Sequence, residues 1–247
     1  MLTCALLAAV ASASEPFDHD YAAYAAVLDG VVGPEGVRYD QLVTRREALD
    51  DVVAGFASAP IASFTPPQQL AMWINAYNAL TLQVVVHGWP IETIKALDEG
   101  EVWRRRSFVV AGRSVTLDGI EHQHIRVLGD ARIHGALNCA SRGCAPLSAK
   151  PYRAATLDAD LDAAARAWVG STAVSVSDGV AAYNKVFEWF AEDFRAPGVD
   201  GEPEPSALAG ASQFVLLYAS PELAKSIGTT GSAIWLPYDW SLNVVSP

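Results

Sequence analysis

The sequence is short of cysteine, methionine and basic residues. Its 247 residues include three cysteines, two methionines and 17 Lys and Arg, against 28 Asp and Glu. So few cysteines exclude a disulfide-built scaffold, and the core must hold the chain together by itself. A formal net charge of −11 repels phosphate backbones and anionic lipid, so no nucleic acid is expected as a partner. No run of eighteen apolar residues follows the N-terminus, and no membrane insertion is expected once a leader is removed. A phosphate-binding glycine loop, a nucleotide fingerprint and an established metal motif are all missing, so no cofactor is implied. One more absence constrains the chemistry. His19, His87, His122, His124 and His134 all precede Cys139, and no histidine follows it.

What is present is a globular composition with a leader at its front. Residues classed as hydrophobic make up 51% of the chain, enough for a substantial core. Met1 to Ala13 carry no charged side chain and run through Leu2, Leu6, Leu7 and Val10 to Ala11-Ser12-Ala13, small residues at both positions that signal peptidase reads. This segment is expected to be a signal peptide, 1–13, although it lacks the usual Lys or Arg at its start. A periplasmic or secreted location follows, with a single domain over 14–247 that keeps only Cys139 and Cys144.

Periodicity and punctuation predict a mainly helical α+β domain with a small antiparallel sheet. Helices are expected over Asp20–Leu28 and Arg45–Phe56. The strongest is capped by Thr65, opens with Pro66 and is apolar almost throughout Leu70–His87, which marks it as central and buried. Phe108–Val110 and Ser114–Leu117 read as a hairpin, followed by a helix capped by Asp118 and running to Leu128. Arg132–Asn138 reads as a buried strand leading to the cysteines. Thr156 starts a helix to Val169, Ala173–Val176 and Ile234–Leu236 read as strands, and Asn184 starts a helix through Trp189 to Phe194. Ala196–Ser206 is a Pro- and Gly-rich loop, and Gln213–Tyr218 is helical.

Several segments recur together in one family: Trp73-Ile74-Asn75-Ala76-Tyr77-Asn78, Leu117 to His122, Arg132 to Ser141, Cys144-Ala145-Pro146-Leu147, Trp189 to Phe194 and Tyr238 to Asn243. On these residues the chain resembles the domain-of-unknown-function family 547. The resemblance implies a shape similar to the papain and transglutaminase-like cysteine hydrolases, an exported setting, and a family cysteine at Cys139 more constant than the one at Cys144. The chain departs from the family pattern at Ala145 (usually proline), Asn184 (usually serine) and Phe190 (usually tyrosine).

The residues themselves frame the chemistry. A thiol attacks an acyl carbon as thiolate, which a neighbouring imidazole stabilises and a third group orients. With every histidine ahead of Cys139, only a histidine-before-cysteine order is open, as in circularly permuted papain-like enzymes. Cys139 is the expected nucleophile and His122 the favoured base, with His134 its rival. Glu121, Asp193 and Asp239 are candidate orienting carboxylates. A turn at Ser141-Arg142-Gly143 offers backbone amides as an oxyanion hole, or is only a turn. Three readings of the cysteines stand: a free nucleophile at Cys139, a Cys139–Cys144 disulfide, or metal ligation with His134. Asn75 and Asn78 brace a loop or bind at the pocket, Trp189 and Trp240 are expected in the core, and Arg104-Arg105-Arg106 forms a solvated face. The expected function is a cysteine hydrolase or acyltransferase acting on amide or isopeptide bonds of a small-molecule or peptide substrate. The alternative is a non-catalytic module that binds a peptide or small ligand and keeps the disulfide.

Overall fold

The central helix, Pro66–Gly88, organises the molecule. In this computed structural model, which describes residues 17–195 and 206–245, every residue from Leu70 to Leu82 is buried. Its start is a capping box: the Gln68 side chain accepts from the Thr65 amide at 2.9 Å, and Pro66 fits the first turn. A helix with no polar face is stable only when wrapped on all sides. Here the wrapping comes from the helices Ala22–Leu28 and Arg46–Ala57, the hairpin strands β1 (Val32–Gly33) and β2 (Gly36–Val37), and the turns that follow. The second hairpin, β3 (Phe108–Val110) and β4 (Arg113–Val115), pairs antiparallel as expected.

A second apolar cluster forms around Trp168, near the end of the helix Leu157–Val169. Trp168 stacks on Phe187 with ring centroids 4.7 Å apart, and Phe194 and Phe214 close the group at 4.6 and 5.7 Å from Phe187. Strands β5 (Val174–Ser177), β6 (Val180–Tyr183) and β7 (Ser232–Trp235) edge this cluster. β5 and β6 are antiparallel, whereas β6 and β7 run parallel, so the third sheet is mixed. The described residues therefore form an α+β domain rich in helix, and none of their helices is long and apolar enough to cross a membrane. The segment 1–13, expected as a leader, and all but the last residue of the loop expected at Ala196–Ser206 lie outside the described residues.

Three local expectations change. Arg132–Asn138 is not a strand: Ile133–Ala136 is one turn of helix packed on Leu157–Val169. The approach is so close that a Cβ at Gly135 would lie 3.0 Å from the Ala164 backbone, so a larger residue would push the two segments apart. A short, wholly buried apolar run looks alike in either conformation, so sequence could not separate them. Second, Thr116 rather than Asp118 caps the next helix, its hydroxyl accepting from the Gly119 amide at 3.0 Å. That helix, Leu117–Ile120, continues as a π turn over Glu121–Ile125. Third, the helix expected through Trp189 to Phe194 breaks into Val186–Trp189 and a 3₁₀ turn, Ala191–Phe194.

Candidate functional site

The cysteine loop is held from both sides by buried amides. From the central helix, Asn78 donates to the Ala136 carbonyl at 2.9 Å and accepts from the Asn138 amide at 2.9 Å. Asn138 in turn donates to the Ala145 carbonyl and accepts from the Ala140 amide and from Asn243. Asn184 donates to the Gly143 carbonyl at 2.8 Å. The chain's C-terminal stretch straps the outside: Arg142 and Gly143 donate their amides to Ser241 and Asp239 carbonyls at 2.8 and 2.9 Å, and Asn243 donates to Ala140 at 3.1 Å. The same strap passes Gly36 so closely that a Cβ there would sit 2.2 Å from the Asn243 oxygen. Asn75 and Asn78 thus brace backbone, Asn75 through both polar atoms to Tyr152, and neither lines the cavity. Asp239 caps its own turn, accepting from the Ser241 amide, and lies outside the cavity as well.

Within that frame Cys139 and Cys144 are joined as a disulfide. Cys144 is 8% exposed, while Cys139 is only partly buried. The Cys139 amide donates to the Cys144 sulfur at 2.9 Å, and the Tyr238 hydroxyl lies 3.1 Å from the Cys139 sulfur and 3.3 Å from that of Cys144. Ser141 contributes a second hydroxyl, 3.0 Å from the Cys139 sulfur. Of the Ser141-Arg142-Gly143 turn read as an oxyanion hole or only a turn, the Arg142 and Gly143 amides are spent on the strap. Ligation of a metal by both cysteines and His134 does not describe this state, since the sulfurs bond each other and His134 bonds Asp193.

The disulfide opens on a cavity of about 470 Å³, which Glu121, His122, His134 and Tyr238 also line. His134, buried against Phe190 and Phe194, places Nε2 2.7 Å from Asp193 Oδ2. Burial lowers its pKa from the usual histidine value, against the pull of Asp193, so the neutral ring prevails. With Nε2–H donating to the carboxylate, Nδ1 keeps the lone pair. Burial pushes the Asp193 carboxyl upward, but its bonds to His134 and Arg126 outweigh this and bring it down to about 2. Arg126 grips Asp193 with two bonds, at 2.6 and 2.8 Å, and also reaches Glu192 at 2.6 Å.

His122 is differently placed. Arg126 Nη1 lies 2.6 Å from its Nδ1, and a guanidinium only donates, so Nδ1 is the accepting nitrogen. Its Nε2 lies 3.7 Å from Asp118. Glu121 bonds Tyr77 rather than either histidine, and burial pushes its carboxyl up to about 7 against the charge of Arg126, with Asp118 and Asp193 adding to the rise. Of the candidate orienting carboxylates, Asp193 is paired with His134, the rival candidate, whereas the favoured His122 is committed to Arg126. Arg126 was missed in the sequence, although its place four residues after His122 on a helix was the available signal. Tyr238 was missed too. Trp189, expected in the core, is 48% exposed, and it lines the cavity with Trp240. In the basic run, Arg105 and Arg106 pair with Glu99 and Asp98, while Arg104 faces the cavity.

The Asp193 pairing makes a pH test. Its carboxyl is lowered in the fold, so its contribution is whole above pH 4 and is lost as pH falls towards 2. Urea unfolding between pH 2 and 5 is expected to show a steep acid loss that Asp193→Asn flattens; parallel profiles would refute the pairing.

Among the described residues no group of three or more His, Cys, Asp or Glu is placed to hold a metal ion. No curated protein and no solved structure matches the chain. Residues 61–169, from the entry to the central helix through both cysteines to the end of the helix Leu157–Val169, match the family described as "Protein of unknown function, DUF547", and this match supports the family read from the sequence motifs.

Proposed function

We propose that this protein is a cysteine hydrolase or acyltransferase acting on amide or isopeptide bonds, with its nucleophile held in reserve as the Cys139–Cys144 disulfide. The observation that carries this reading is the buried His134, which pairs with Asp193 and lines the same cavity as Cys139. Two equivalents of a low-molecular-weight thiol reduce the disulfide to two thiols and leave as their own disulfide. Cys139 then transfers its proton to neutral His134, and Asp193 supports the imidazolium that forms. The thiolate adds to the acyl carbon, the amine leaves with a proton from His134, and water or a second amine resolves the thioester. The Ser141 and Tyr238 hydroxyls are placed to donate to the Cys139 sulfur.

Such a reserve suits the oxidising compartment expected from the N-terminal segment, where an unprotected thiolate is oxidised. A papain-like plan with histidine ahead of cysteine is the fold that accompanies this reading. The second reading, a non-catalytic binding module, is favoured by the disulfide itself and by the consumed amides of Arg142 and Gly143.

Iodoacetamide labelling across pH, mapped by peptide mass spectrometry, separates the two. The unreduced protein is expected to resist labelling. After reduction, Cys139 should label well below the free-thiol pKa of about 8.5, and His134→Ala should slow it at least tenfold where His122→Ala does not. Ordinary thiol reactivity of reduced Cys139 in the unsubstituted protein would sink the hydrolase and leave the binding module.

A further inference from the structure

One wall of the cavity is built from rings that arrive from three parts of the chain. Trp103 comes from the helical turn Val102–Arg105, Trp189 from the end of Val186–Trp189, and Tyr238 and Trp240 from the C-terminal strap. Tyr238 and Trp240 lie 4.5 Å apart by ring centroid, Trp189 lies 4.8 Å from Tyr238 and stacks on Trp240 at 5.7 Å, and Trp103 stands 5.7 Å from Trp240. Isolated exposed rings need no explanation, but several half-open tryptophans converging on a concave surface mark a place where something binds.

A cation already rests on this wall. Lys95 Nζ lies 4.2 Å from the Trp240 centroid. Among the described residues no carboxylate is within ion-pair distance of it, so the ring face is its partner. The faces of aromatic rings carry negative quadrupole potential, and tryptophan attracts a cation best. Glu101 and Asp118 line the same cavity and add attraction for positive charge. An anion would meet those two carboxylates, and Arg104 is already turned to Asp118 at 3.4 Å.

We propose that Trp103, Trp189, Tyr238 and Trp240 form a subsite for an organic cation, the ammonium group of a lysine-like side chain, for which Lys95 is the resident occupant. The inference rests on the hydrolase reading only in taking this cavity as the substrate site. It places a cationic side chain of a peptide substrate beside the bond that Cys139 would attack.

The test needs no turnover. Nα-acetyl-lysine methylamide and its norleucine and glutamate counterparts are titrated into the disulfide-intact protein at low ionic strength, followed by calorimetry. The lysine probe is expected to bind at least about tenfold tighter than the neutral norleucine probe, Trp240→Leu to lose most of that preference, and Lys95→Met, which vacates the ring, to tighten lysine binding several-fold. Lys95→Met changes an exposed side chain, so it keeps the test open should Trp240→Leu fail to fold. Equal binding of the lysine and norleucine probes, or no saturable lysine binding, would overturn the subsite. Tightest binding of the glutamate probe would also overturn it, by making Lys95 an anchor for a carboxylate. A failure here leaves the Cys139 labelling result untouched, and the reverse holds as well.

Discussion

Replacing Glu121 by glutamine should stabilise the protein by up to about 3 kcal/mol at pH 8 and by almost nothing at pH 4. The carboxyl is pushed in the fold from 4.5 to about 7, chiefly by burial. Between those values the folded chain holds a proton that the unfolded chain has released, so stability falls as pH rises through the window and levels off above 7. Glutamine removes that ionisation while keeping an oxygen for the Tyr77 hydroxyl, which bonds Glu121. Urea unfolding of the disulfide-intact protein at pH 4, 6 and 8 checks this, with the two proteins diverging only at the higher values. Profiles that stay parallel would mean that Glu121 ionises freely. The comparison bears on function too, because a carboxyl poised near neutrality beside a cavity is the kind of group that exchanges protons with a substrate.

Asn138→Ala should destabilise the protein by about 3–5 kcal/mol, since it strands three buried partners at about 1–3 kcal/mol each before relaxation. Those partners are the Ala140 amide, the Ala145 carbonyl and the Asn243 side chain. Asn243 also accepts from the Tyr39 hydroxyl at 2.8 Å, so the loss reaches from the cysteine loop to the short helix Tyr39–Leu42. Asp239→Ala serves as the contrast: it removes an exposed turn cap and should cost less than about 1 kcal/mol. Equal, small losses for the two would show that the loop is held by packing and the disulfide rather than by its amides.

The sequence alone determined the elements whose signals are local. Thr65, Pro66 and the almost continuous apolar run from Leu70 marked the central helix, because capping and full burial leave their trace within one segment. The hairpin around Ala111-Gly112 was legible for the same reason, as strand alternation and turn chemistry sit side by side. The family motifs gathered nearly every residue of the candidate site, and the order of histidines and Cys139 limited the chemistry before any fold was known.

Tertiary structure decided the pairings. Sequence cannot choose between His122 and His134 when the deciding partners, Arg126 and Asp193, lie four and 59 residues away in different elements. It misread Ile133–Ala136 because the feature that fixes that turn is a contact of Gly135 with Ala164, 29 residues on. The spent amides of Arg142 and Gly143 depend likewise on where the C-terminal strap crosses the cysteine loop. Hydrogen bonding and burial act through space, so residues far apart along the chain acquire their roles only when the fold brings them within a few ångströms.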